Sequence, residues 1–325
     1  MKKTISIILS ISIFLIMFSM NGYAINEEEF NIEAYSWEDI MNMNSEEFME
    51  LLSDFERVYD PLGTYNTVHL TENLSNMNSE PEIQPMWTSG KTDISGNPKE
   101  IGTHELITAK ACGILMEDKG FWGTDESGSI MIALTISLAS ILPDTDPLLG
   151  IGDAFKGHFY DPDTGKNWMG GSSNTAKTNA EKFYDKAIES YNNNDIDAEK
   201  FIKNVGKMLH YVQDACQPHH AANIVILEKG DVHTKFENYV NDKFDSLIVE
   251  LTSVSNYSYQ QALSQPIGTI VHEAAVTAKR FVDNVDDVND QSDWPDVATS
   301  TVRNAIRETA RVLYKLSVEL SIPLN

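Results

Sequence analysis

The sequence predicts an all-α protein with a single multi-helix domain. Beyond residue 103 apolar residues recur at helical spacing in one long segment after another. No stretch alternates apolar and polar residues well enough to read as a half-buried strand. A third observation is chemical. His210/Asp214 and His233/Glu237 are imidazole–carboxylate pairs four residues apart, a spacing that puts both partners on one helix face.

The chain has 325 residues and a formal net charge of −25. Lys2 and Lys3 precede an apolar run from Ile5 to Met20, and Gly22-Tyr23-Ala24 places small residues at −3 and −1. This reads as a secretory signal over 1–24, with cleavage after Ala24 and export of the chain. The run is short for an uncleaved membrane span. From Ile25 to Met86 there are 15 acidic residues against one basic, Arg57. Its helical patterns (SWEDIMNMNSEEFMELLSDFERVYD) decay into the linker-like TENLSNMNSEPEIQP. A removable pro-segment over 25–86 is expected, with a small interaction module as the alternative.

The remainder, 87–325, opens on the polar arm TSGKTDISGNPKEIG. A helix is expected from an N-cap at Thr103 to a stop at Gly120, with His104 in its first turn. SIMIALTISLASIL should be a buried helix ending at Pro143, on its length. DTDPLLGIGDAFKGHFYDPDTGKNWMGG is turn-rich and holds His158. Further helices are expected over Asn179–Asn192, Asp195–Val212, Phe236–Leu251, Ile267–Val285 and Val297–Leu320.

Charge bounds the partners. An acidic surface opposes simple binding of a phosphate backbone, so no nucleic acid is expected. Phosphate chemistry stays open, because bound dications reverse the local potential. Cys112 and Cys216 are the only cysteines. In an exported chain they form one disulfide or remain two buried thiols. Without a CxxC they build no metal site.

His210 to Glu237 is the stretch that organises the chemistry. It holds four of the eight histidines in 28 residues, with His220 two residues after Pro218 and between the two pairs. Imidazole and carboxylate together suit first-row metals. One such pair alone is more often a surface or capping arrangement. The full constellation is not.

Three segments resemble those of the bacterial zinc-dependent phospholipase C family: HFYDPDTGK (His158–Lys166), HYVQDACQPHHAAN (His210–Asn223) and HTKFEN (His233–Asn238). WTSGK…GTHELI (Trp87–Ile107) is similar to that family's mature N-terminus, and IVHEAAVTAKR (Ile270–Arg280) extends the likeness. The resemblance is to compact members, which lack a C-terminal membrane-binding domain. It implies an all-helical catalytic domain over 87–325 with three zinc ions. His158, His210 and Asp214 would hold one, and His220, His233 and Glu237 a second. His104, a bridging Asp214, and the backbone amine and carbonyl of Trp87 would hold the third. A free amine at Trp87 requires cleavage after Met86 by a maturation protease.

The resemblance also implies a base that orients water 14 residues before His158, where Asp144 stands, with Asp146 as rival. A turn-capping aspartate is the bland reading of either. Phe155 matches an aromatic position facing the headgroup, where a ring attracts a quaternary amine. Gln213, Ala215 and Thr145 depart from the family pattern, which puts fine positioning and choline preference in question. His219, His272 and His69 read as structural.

The activity implied is phospholipid hydrolysis at a membrane or micelle surface, by a monomer. An S1/P1-type single-strand nuclease is the competing enzyme reading; Glu237 argues against it, because those relatives generally end the ligand set in Asp. A structural zinc protein is disfavoured, since such sites are usually closed, mononuclear and often cysteine-rich.

Overall fold

A computed structural model describes residues 30–59, 102–145, 155–192, 197–225, 231–247 and 251–324. The signal region, Trp87, His69 and Asp146 lie outside them. Twelve α-helices are present among the described residues: α1 (Trp37–Asn42), α2 (Ser45–Tyr59), α3 (Thr103–Lys119), α4 (Glu126–Ser140), α5 (Leu142–Thr145), α6 (Ala176–Asn192), α7 (Ala198–Asp214), α8 (Pro218–Ala221), α9 (Val232–Leu247), α10 (Asn256–Ser264), α11 (Ile267–Lys279) and α12 (Trp294–Leu320). The only β-type pairing described is the isolated bridge between Asp161 and Lys166. The all-α expectation holds.

α3 and α4 are buried almost all round; α4 is mostly apolar, whereas α3 buries His104, Glu105 and Thr108 among its apolar residues. Glu126–Asp144 is the one described helical stretch long and apolar enough to cross a membrane, and it forms the centre of this bundle. α7 packs against both α6 and α4, and α12 lies along α3. A Cβ on Gly206 would run into Ala139, so α7 crosses α4 at a separation that only glycine permits. That close crossing matters to the site, because His210 sits one turn further along the same face.

Helix ends differ from expectation where tertiary contacts override local caps. Gly102, not Thr103, precedes α3; the Thr103 hydroxyl instead meets Asn241 Oδ1 at 3.2 Å. α4 stops at Ser140, and Pro143 falls inside the short α5, where a missing N–H costs nothing. α7 starts at an Asp197 cap whose side chain accepts from Lys200 N at 3.0 Å. α11 ends at Lys279, short of Val285, and a 3-10 turn follows over Val282–Asn284.

Cys112 and Cys216 are both buried free thiols. Residues 30–59 are not an isolated tail. Their helices α1 and α2 pack on α3 and α4, and a 3-10 turn over Ile32–Ala34 also meets α4.

Candidate metal centre

α7 delivers His210 and Asp214 from its last turn, and the bend after it leads into α8. There Pro218 starts a single turn that carries His220. α9 brings His233 and Glu237, α3 brings His104, and the 3-10 turn Phe155–His158 brings His158. All seven side chains are buried.

Asp214 is the hub. Its Oδ2 lies 2.9 Å from His158 Nδ1 and 3.2 Å from His210 Nε2. Its Oδ1 lies 3.2 Å from His220 Nδ1 and 3.7 Å from His104 Nε2. A second cluster forms beside it. Glu237 Oε1 is 2.8 Å from His233 Nε2 and 3.2 Å from His220 Nε2.

Asp144, on α5, joins the first cluster. Its Oδ1 is 3.4 Å from His210 Nε2 and 3.6 Å from His158 Nδ1. Three groups of donor atoms therefore each gather within 4.8 Å: His104/His210/Asp214, Asp144/His158/His210 and His220/His233/Glu237. The last is the expected second ligand set. In the other two His210 is shared, and Asp144 stands at ligand distance.

Fixed acceptors hold three of the imidazoles by their outer nitrogens. Nδ1 of His210 donates to Ser140 O at 2.8 Å, and Nδ1 of His233 to Ile224 O at 2.8 Å. Nδ1 of His104 donates to Gln213 Oε1 at 2.7 Å. Each ring then turns Nε2 towards the cluster, the orientation that outer partners of metal-bound histidines impose. The Gln213 amide in turn donates to Thr108 and Thr309 hydroxyls at 2.9 and 3.3 Å. Gln217 does similar work next door: its Oε1 caps α8 at His220 N, 3.0 Å away, and its Nε2 donates to Glu237 at 3.1 Å.

The electrostatics match a cation site. In the metal-free protein burial pushes the Asp214 carboxyl up, but His210, His158 and His220 outweigh it and hold the group well below the usual carboxylate range. Burial likewise opposes charge on His210 and His220, yet the facing carboxylates raise both to about 9. Glu237 is lowered to about 2, burial again being outweighed by His233 and His220. His104 is lowered to about 3 by burial and by His210. His219, also buried, is lowered to about 3 by burial and His233, and it faces Val285 O at 3.0 Å. It is a neutral structural imidazole beside the ligand set. His272 meets the Tyr160 hydroxyl at 2.9 Å.

The donors fit zinc. Asp214 Oδ1 and His220 Nδ1 are buried without a hydrogen-bond partner among the described residues. His210 Nε2 and His158 Nδ1 stand 2.9 Å apart, a contact of two lone pairs unless a cation or proton lies between them. A family model described as zinc dependent phospholipase C matches residues 103–306, which takes in every one of these side chains. The chain belongs to the zinc-dependent phospholipase C family.

Among relatives of the family, a phospholipase C of Paraclostridium bifermentans is 25% identical over 247 residues, covering 70% of this chain and 61% of that one. A phospholipase C of Bacillus cereus is 35% identical over 142 residues, 43% of this chain and 47% of that one. The matches thus span less than two thirds of these relatives' lengths. The alpha toxin from Clostridium absonum superposes with a TM-score of 0.58 at 25% identity, over 72% of this chain and 66% of that one. The structure of Clostridium perfringens alpha-toxin gives 0.57 at 23% identity, which bears on the fold alone.

An aromatic path leads to the candidate metal centre. Phe155 is half-buried, with its ring 5.4 Å from Phe159 and 6.1 Å from Trp168. Phe159 stacks on His220 at 5.0 Å. Phe155 was expected to face a headgroup, but neighbours in sequence do not fix which ring faces which, so its link through Phe159 to His220 was not legible.

Proposed function

We propose that this chain is an exported trinuclear-zinc phosphodiesterase that hydrolyses phospholipids of the phosphatidylcholine type to diacylglycerol and a phosphorylated headgroup. The observation that carries the reading is Asp214. A fully buried carboxylate set between four imidazoles is arranged to bridge cations, and family membership supplies zinc as the cation. His158, His210 and Asp214 would hold one ion, and His220, His233 and Glu237 another. His104 and Asp214 would hold the third together with the amine and carbonyl of Trp87. Bound zinc polarises a phosphoryl oxygen and makes a water a competent nucleophile near neutral pH.

The chain's own residues do the rest. Asp144 orients the attacking water and receives its proton as oxygen adds to phosphorus, while the phosphorus–oxygen bond to glycerol breaks and the departing oxygen takes up a proton from solvent to leave as diacylglycerol. Its side chain is only 2% exposed, so bulk water does not screen it. Phe155 offers a ring to the headgroup, and a quaternary amine is the group such a face attracts. The reading includes a signal over 1–24 and a pro-segment over 25–86. It also includes a maturation protease that cuts before Trp87, and a monomer acting at a lipid surface.

The test is to assay the processed protein side by side on phosphatidylcholine micelles and single-stranded DNA. Release of diacylglycerol, lost on chelation and restored by zinc, is expected. Cleavage of the DNA with the lipid untouched would mean a nuclease; the Paraclostridium bifermentans and Bacillus cereus relatives, both phospholipases C, do not favour that outcome.

A further inference from the structure

Residues 30–59 lie within the segment that maturation would detach, yet they are built into the packing of the catalytic part. Trp37, Ile40, Phe48, Leu51, Leu52 and Phe55 are buried. The Trp37 ring meets Phe121 edge-on at 5.9 Å. Met41 occupies space left by Gly113, where a Cβ would run into its Sδ. Polar contacts close the seam at three places. Trp37 N donates to Glu126 Oε1 at 2.9 Å. Ser45 gives both its N–H and its hydroxyl to Asp245, each at 2.8 Å. Lys110 Nζ donates to Met41 O at 2.7 Å. Meanwhile Glu33, Glu38, Asp39, Glu46, Glu47 and Glu50 face solvent.

This division of apolar inward and carboxylate outward is what a docked amphipathic piece needs. A segment of this size cannot bury such a face on its own, because chains below roughly 40 residues rarely sustain a core. Nor do the anchors mark a lid. Gly113 is nine residues along α3 from His104, roughly 13 Å at the helical rise. Asp245 is eight residues beyond Glu237 on α9, about 12 Å by the same measure.

We propose that residues 30–59 are a permanent helical module of the folded enzyme: after cleavage before Trp87 they stay docked, as a second piece held without a covalent bond. The proposal rests on the reading that the chain is cut there, and its test does not use that cut. A recognition sequence for a site-specific protease is placed within 60–86, and the purified full chain is cut and passed through size exclusion, with mass spectrometry of each peak. The fragment carrying 30–59 should comigrate with the remainder. Its elution apart from the remainder, whatever becomes of the latter, overturns the proposal. Trp37→Ala with Ser45→Ala should then raise the freed fraction by about tenfold or more, since a buried Trp anchor is a usual hot spot. Undiminished comigration of that variant would put the hold elsewhere and refute the interface described. Whether natural maturation occurs before Trp87 is read separately, by sequencing the N-terminus of the secreted protein.

Discussion

Gln213 Oε1 accepts the Nδ1 proton of His104 at 2.7 Å, across the interface between α7 and α3. Gln213 stands between the candidate ligands His210 and Asp214 in sequence, and its own amide is held by Thr108 and Thr309. Gln213, one of three positions that depart from the pattern the resemblance implies, is therefore the one that fixes the tautomer of a proposed ligand. Gln213→Ala should weaken one zinc by about 10–100-fold, the usual cost of losing such an outer partner. Gln213→Glu, which keeps an acceptor, should retain most of it. Chelator competition measures both. An alanine variant that holds all its zinc as tightly as wild type would show that the carboxamide does not matter.

Gly206 is predicted to be irreplaceable for a different reason. Alanine is the better helix former by about 1 kcal/mol, but its Cβ would meet Ala139. Overpacking of that kind costs about 1–3 kcal/mol and moves His210 away from Ser140 O. Gly206→Ala should lower Tm and loosen zinc together. A raised Tm would mean that α7 can shift without cost.

The candidate ligand pairs were legible because their spacing is local. His210 and Asp214, like His233 and Glu237, are separated by one helical turn, and a sequence displays that directly. The partners that orient them were not legible. Ser140 is 70 residues from His210, and Gln213 is 109 from His104; only packing brings them together. Local caps misled for the same reason, as at Thr103, whose hydroxyl is claimed by Asn241. The helix α10 went unread because its sequence, NYSYQQALS, buries only Tyr259 and Ala262, too sparse a pattern to show a period. The helices of 30–59 were visible as patterns, but nothing in their composition told what they pack against.

Asp144 separates two roles by one substitution. As the residue orienting water, Asp144→Asn should keep the fold and all the zinc while activity falls by roughly 10²–10⁴-fold. As a ligand alone, it should release zinc in proportion to the activity lost. Metal analysis beside the rate measurement distinguishes them. Near wild-type activity for Asp144→Asn, with Asp146→Asn inactive, would move the role two residues along.

Removing zinc should leave a protein whose stability falls as pH rises. His210 and His220 are raised from 6.5 to about 9, so their contribution is complete below about 6.5 and is lost as pH climbs through 9. Glu237, lowered from 4.5 to about 2, contributes above about 4.5 and is lost as pH falls towards 2. His104 and His219, lowered from 6.5 to about 3, act in the opposite sense, costing stability as pH falls below about 6.5, so metal-free protein should be most stable near the upper of these limits, about pH 6.5. Zinc competes for the same imidazole protons, so its affinity should rise over the window where the metal-free protein weakens. Calorimetry at about pH 6 and about pH 8.5, with and without chelator, checks both. A metal-free Tm that is higher at the alkaline pH contradicts the assignment.

The amine of Trp87 gives the last prediction. An amide nitrogen is a poor metal donor because its lone pair is delocalised into the carbonyl. A free α-amine, with a pKa near 8 that zinc lowers by competing with the proton, is a good one. Full-length protein cut in vitro so that the new chain begins at Trp87 should therefore bind three zincs. Protein cut one residue earlier, to begin at Met86, should hold two as tightly and the third weakly, and should hydrolyse phosphodiesters far more slowly. In both proteins residues 30–59 are equally present and equally severed, so docking of the module cannot account for a difference. If the two bind the same zinc and turn over at the same rate, the amine is not a ligand, and maturation acts through something other than completing the metal centre.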